Sequence, residues 1–405
     1  MEPIVIVGAG VAGVTAAREL RRLGRRSVLL EARDRVGGRA WTDRSRLGVP
    51  LDIGCSWLHS ADVNPWTAYA RAHGFTVRER SPVWQRRIGG VEASPEYRQA
   101  WLAAFQRNEA LIAAAARDHR DVAVSDIVPD DAHRPMFDAV MGWLMGVHSS
   151  QVSTVDYDRY ADSDRNWYVL GGLGALIAHA AEGLEVRCDV AVTSIDWSGS
   201  SVRVATNRGE LRAAGVIVTV PTPLIADEQL RFTPHAPGLL EACHGVPLGV
   251  ANKVFIEMAP GALPHEGSVF TVGTDRTSRT ASYETRPLEE EVLLAYFGDG
   301  LARELEEERS LEAFAMEELT DIYGAGFRAQ VRRMTASAWA GDPWSRGAYS
   351  AARPGCAHLR ARLSEPLGER VFFAGEACSL DYFGTVNGAW QSGVEAANRI
   401  LAASR

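Results

Sequence analysis

Residues 3–31 read PIVIVGAGVAGVTAARELRRLGRRSVLLE, and their spacing decides the fold. A short apolar run ends at Val7, and Gly8-Ala9-Gly10-Val11-Ala12-Gly13 follows at once. A helical pattern then runs to Leu23, and a second apolar run closes on Glu31. Strand, glycine turn, helix, strand and terminal acid form the dinucleotide-binding fingerprint in its required context. Gly8 permits the tight turn, Gly10 lets the backbone approach a pyrophosphate, and Gly13 lets helix and strand pack closely. Val11 and Ala12 open the helix, whose free N–H groups and dipole favour phosphate. Glu31 suits a ribose diol and repels a 2′-phosphate, which favours FAD or NAD over NADP.

The remaining composition narrows the class. A chain of 405 residues buries a large core and divides into two or three units. The net charge of −8 argues against a nucleic-acid partner and suits a cationic substrate. No apolar run has the length of a membrane span. Five scattered cysteines without metal-ligand spacing point to free thiols, no metal and a reducing compartment. With a strand at the very start and no leader, the expected location is the cytoplasm. The sequence fixes no oligomeric state.

Of 43 Lys and Arg residues, only Lys253 is lysine. It sits in Ala251-Asn252-Lys253-Val254-Phe255-Ile256, an alternating strand pattern. A lysine buried there must be paired or lose its proton readily. Arginine does neither job in the same way. Asp156, Asp158, Asp162 and Asp164 crowd beside Tyr157 and Tyr160. They read either as a solvated loop or as an acidic mouth for distal ammonium groups. Ser94-Pro95-Glu96 starts a helix to about residue 117, and residues 130–148 suggest another. Trp101, Phe105, Phe137 and Trp143 read as core of that block rather than as a ligand cage.

EARDRVGGRAWT (31–42) resembles the second FAD signature of the flavin-dependent amine oxidase superfamily, with its monoamine and polyamine oxidases. The resemblance implies that Glu31 binds the adenosine ribose, while Ala32, Arg33, Gly38 and Arg39 lie along the cofactor. DIGCSWLH (52–59) is similar to the loop beside the isoalloxazine, which assigns Gly54, Cys55, Ser56 and Trp57 to the cofactor and His59 to the substrate cavity. Amino-acid oxidases of the superfamily carry a carboxylate-binding arginine at that point, and this chain does not. Val190 is the candidate for adenine. The Lys253 strand resembles the one whose lysine holds a water at flavin N5.

WAGDPWSRGAYS (339–350) is similar to the superfamily's Trp…Gly-x-Tyr segment, which places Trp339 by the cofactor and Tyr349 in an aromatic wall. Ala348 stands where monoamine oxidases attach the flavin to cysteine, so FAD is expected to be non-covalent. Gly375 and Glu376 resemble the turn that places an acid near the ribityl or phosphate groups. YFGTVNGAW (382–390) puts Thr385 and Val386 at a helix N-terminus by the flavin and Trp390 as the second wall aromatic.

The expected fold is α/β with an α+β substrate part: a Rossmann-type FAD-binding domain interleaved with a substrate-binding domain of mixed sheet plus helices. Residues 1–83, 184–248 and 346–405 would form the first, and 84–183 and 249–345 the second. The expected reaction is oxidation of a polyamine or other amine without an α-carboxylate, with dioxygen as acceptor. The alternative is a related desaturase or a dedicated biosynthetic amine or amino-acid oxidase.

Overall fold

The computed structural model describes residues 2–80, 87–263, 269–287 and 289–403. Five parallel strands form the nucleotide sheet, in the order Val186–Arg187, Ser27–Leu30, Ile4–Val7, Gly215–Val218, Val371–Phe373. Alternation splits their side chains between two cores. Ile4, Ile6, Leu29, Ile217 and Phe372 face one core, while Val5, Val7, Val28, Leu30, Val216 and Val218 face the other. A parallel sheet covered on both faces reads as continuous apolar runs, as these do. Full burial of each larger side chain contributes roughly 2 kcal/mol.

On the first face lie the helices Val11–Arg22 and Val386–Ala403. They approach closely because Gly393 has no side chain: a Cβ there would meet Ala12 O at 2.5 Å. The N-terminal ends of both helices thus lie at the carboxyl edge of the sheet, where open α/β sheets bind ligands.

The second sheet has seven strands, in the order Val331–Ala336, Ala251–Met258, Val292–Gly298, Ser282–Thr285, Phe270–Val272, Arg87–Ile88, Val91–Glu92. It is mixed, since only Phe270–Val272 and Arg87–Ile88 pair in parallel. Above it pack the helices Pro95–Arg117 and Arg134–Met145. Ser94 caps the first by accepting from Tyr97 N–H. The second stops at Gly146, which is left-handed at φ 67°.

The expected boundary at residue 183 falls too late. The strand Trp167–Val169 pairs with Trp57–Leu58 and Val77–Arg78, and the helix Leu173–Ala180 packs in the nucleotide core. The expected boundary at 83–84 lies outside the described residues. Among the described residues, no helix is long and apolar enough to cross a membrane, and no cluster of three or more His, Cys, Asp or Glu could hold a metal.

Candidate active site

A cavity of about 880 Å³ runs from the fingerprint to the two helices over the second sheet. At its nucleotide end, Gly8 has φ +102°, and a Cβ there would lie 2.7 Å from Thr219 Oγ1. Gly10 differs: a Cβ on it would meet nothing closer than Gly37 O at 3.9 Å and would project into the cavity. That bare cradle fits a pyrophosphate. No side chain caps the helix that begins at Val11, so its first N–H groups stay available there. Gly13 does not line the cavity. A Cβ there would meet Gly8 O at 2.1 Å, so its place is the packing of helix on strand.

Glu31 is buried at the tip of its strand. One carboxylate oxygen accepts Ala9 N–H at 2.8 Å and the other accepts Arg33 N–H at 2.9 Å. Each oxygen keeps a lone pair for a ribose hydroxyl. Arg33 also donates to Asp342 and to Ser345 Oγ at 2.8 Å, which ties the 342–345 turn to this end. Val190 lines the cavity, but its N–H is spent on Glu31 O at 2.9 Å. Val192, which the sequence reading passed over, lines the same wall.

Midway, Lys253 projects from the strand Ala251–Met258, second from one edge of the second sheet, and is 6% exposed. Its Nζ donates to Asp52 O at 2.9 Å, to Gly54 O at 2.5 Å and to Ser56 Oγ. The sole lysine therefore clamps the 52–56 loop from beneath. Burial pushes its pKa down, against the opposing pull of Asp52, Cys55 and Glu284. Once neutral, the amine donates to the two carbonyls and accepts the Ser56 hydroxyl. A water at Nζ has to displace one of these three partners.

Glu376 lines another part of the cavity wall. It accepts from Arg39 at 2.9 Å, from Ser350 Oγ at 2.7 Å and from Gly384 N–H at 2.7 Å. Burial works against its charge, yet Arg39, Ser350, Arg360 and Gly384 together hold the carboxyl below the usual carboxylate range. Its contribution to stability is therefore present above the ordinary value of 4.5 and is lost as pH falls through the lowered folded value. Glu376→Gln should cost about 1–3 kcal/mol at neutral pH. It should also flatten the acid limb of a Tm–pH profile, and a variant whose acid limb matches the wild type would contradict this.

At the substrate end, His59 Nδ1 donates to Asn166 Oδ1 at 2.6 Å, which leaves Nε2 as the acceptor. Burial lowers its pKa despite Asp162 and Asn166. Tyr349 lines the cavity, but Trp390 does not. On the helix Val386–Ala403 the cavity-facing residues are Val386 and Ala389, three apart. Position 390 lies one residue round the helix, and its indole packs against the nucleotide core. The second aromatic by Tyr349 is instead Tyr296, whose hydroxyl lies 3.0 Å from that of Tyr349. Trp101, Phe105 and Trp143, expected as core alone, line the cavity too. Glu109 falls one turn beyond Phe105 on the same helix and also reaches the cavity. Of the site residues expected from sequence, all except Gly13 and Trp390 border this one space.

Residues 11–88 and 84–401 match the family model of flavin containing amine oxidoreductases. The chain belongs to that family. It is an FAD-dependent amine oxidase of mixed α/β fold. It is 27% identical to polyamine oxidase 4 of rice, over 98% of this chain and 88% of that protein. It is 26% identical to lysine-specific histone demethylase 1B of mouse, where 98% of this chain spans 53% of the relative. A third relative is nicotine dehydrogenase of Pseudomonas putida, 25% identical over 98% of this chain and 88% of that one. Among solved structures, putrescine oxidase bound to putrescine superposes with a TM-score of 0.81 at 22% identity, covering 99% of each chain.

Proposed function

We propose that this amine oxidase acts on an amine that carries a second cationic group and no α-carboxylate, such as a diamine or polyamine. The observation that carries this reading is the division of charge along the cavity wall. Its cationic side chains, Arg33, Arg39 and Lys253, sit at the nucleotide end or under the cofactor loop, each already paired with acceptors of the chain. The far end offers Glu109, Asp158, Asp162 and Asp164 among aromatic and aliphatic side chains, with no lining arginine or lysine among the described residues. A substrate carboxylate finds no partner there, whereas a distal ammonium group finds several. The putrescine named in the related structure is a diamine of this class.

The Gly8–Ala12 cradle, Glu31 and Val190 would hold the adenosine diphosphate part of FAD, and the 52–57 loop, Trp339 and Glu376 its flavin end. Bound FAD would supply the redox chemistry, as acceptor of hydride from the amine α-carbon, with dioxygen as the terminal two-electron acceptor that leaves as hydrogen peroxide. The chain's own part is placement and exclusion of water. Lys253 fixes the loop under the reacting region, Tyr349 and Tyr296 wall it, and the helix start at Val386 presents a positive dipole end. His59 Nε2 offers an acceptor within the same space.

The test is a peroxide-coupled screen over monoamines, polyamines, acetylated polyamines and amino acids. Turnover should concentrate on di- and polyamines. Turnover confined to amino acids would overturn the charge argument, and no turnover despite bound FAD would favour a desaturase or biosynthetic oxidase. Ala348 carries no nucleophile, so denaturation should release free FAD into the supernatant, whereas yellow colour in the precipitate would show covalent attachment. The five cysteines are all free, which supports a reducing, cytoplasmic location.

A further inference from the structure

We infer that the Tyr296 hydroxyl oxygen is the acceptor that receives an N–H of the substrate amine, its proton being committed in advance to Tyr349. This rests on the amine-oxidising reading of the site. Hydrogen-bond direction at this pair decides it. Tyr349 Oη is bonded to the carbonyl oxygen of Trp143 and to Tyr296 Oη. A carbonyl only accepts, so the single Tyr349 proton goes to Trp143. Tyr296 must therefore be the donor in the 3.0 Å contact. With its proton spent, the Tyr296 oxygen presents only lone pairs to the cavity that it lines. The chain of phenol to phenol to carbonyl also polarises that oxygen and strengthens it as an acceptor.

Its position fits the role. In the second sheet Tyr296 lies directly opposite Lys253 on one neighbour and Ser282 on the other, and all three residues line the cavity. Residues directly opposed in a ladder share a face, so Tyr296 stands beside the lysine that clamps the cofactor loop. Burial holds its phenol up at about 12, so it stays protonated and the relay keeps its direction at working pH. An aromatic wall alone binds any flat or apolar group, whereas a directed lone pair selects an N–H donor.

The test uses FAD-loaded protein and tert-butylamine, an amine with no α-hydrogen and therefore no route to oxidation. Its binding is titrated through the change in flavin absorbance. Tyr296→Phe keeps the ring and removes only the hydroxyl. Binding should weaken about tenfold, the worth of one hydrogen bond to an amine. Tyr349→Phe takes away the phenol that commits the Tyr296 proton, so binding should weaken there as well. The double variant should then bind no more weakly than Tyr296→Phe alone. Equal binding by Tyr296→Phe and wild type overturns the inference, as does additive weakening in the double variant or an absence of binding to the wild type. A wild type that binds tert-butylamine through Tyr296 yet oxidises no amine would instead overturn the proposed function.

Discussion

Lys253→Met is expected to retain FAD while slowing flavin reduction or reoxidation on the order of 100-fold, the cost of a reacting region that has lost its fixed geometry. The lysine is remote from the nucleotide cradle, so loading depends little on it. Its three donors, however, end on Asp52 O, Gly54 O and Ser56 Oγ. Methionine fills much of the volume but leaves two carbonyls facing an apolar chain. The loop that bounds the reacting region then loses its fixed position. Arginine should not rescue it, because a planar guanidinium does not fit a cup shaped for one ammonium. Anaerobic and aerobic stopped-flow traces separate the two half-reactions, and near-normal rates in both would remove Lys253 from the mechanism.

Arg360→Met is expected to be among the most destabilising single changes in the chain. Arg360 and Asp156 are both fully buried, with paired contacts of 2.6 and 2.7 Å. Removing one partner of such a pair leaves an uncompensated charge and costs about 3–5 kcal/mol. Here the effect spreads further. Arg360 also donates to Ser350 Oγ at 2.8 Å, and its guanidinium lies 4.0 Å from the ring centre of Phe383, which lines the cavity. Ser350 in turn donates to Glu376. The buried pair thus joins the acidic segment at 156–164 to Glu376 on the cavity wall. Replacing both partners with apolar residues of similar volume should recover much of the lost stability. Thermal unfolding checks both expectations: a Tm close to wild type for Arg360→Met would contradict the first.

The fingerprint was legible because its physics is local. Two continuous apolar runs, a glycine turn and a helix occupy the 29 residues 3–31, and the two adjacent strands Ile4–Val7 and Ser27–Leu30 of the nucleotide sheet follow from them. Lys253 was legible for a different reason, as a single lysine in an arginine-rich chain. The rest of the site depends on contacts between distant segments. Nothing in Val292–Gly298 announces that Tyr296 falls opposite Lys253, because strand register is set by the whole sheet. Trp390 shows the converse error, since a motif that places a helix correctly still misplaces a side chain by one position. For Trp101 and Phe105, apolar helical spacing serves a packed core and a cavity wall alike, so the pattern does not separate them. The buried tie between Asp156 and Arg360 spans 204 residues, and no local signal marks it.

The central claim is that this cavity brings an amine to bound flavin, and anaerobic mixing of the FAD-loaded protein with putrescine or spermidine tests it most directly. The oxidised flavin absorbance should disappear in a single exponential step and return on admitting oxygen, with formation of hydrogen peroxide. A flavin that stays oxidised with every amine offered would contradict it.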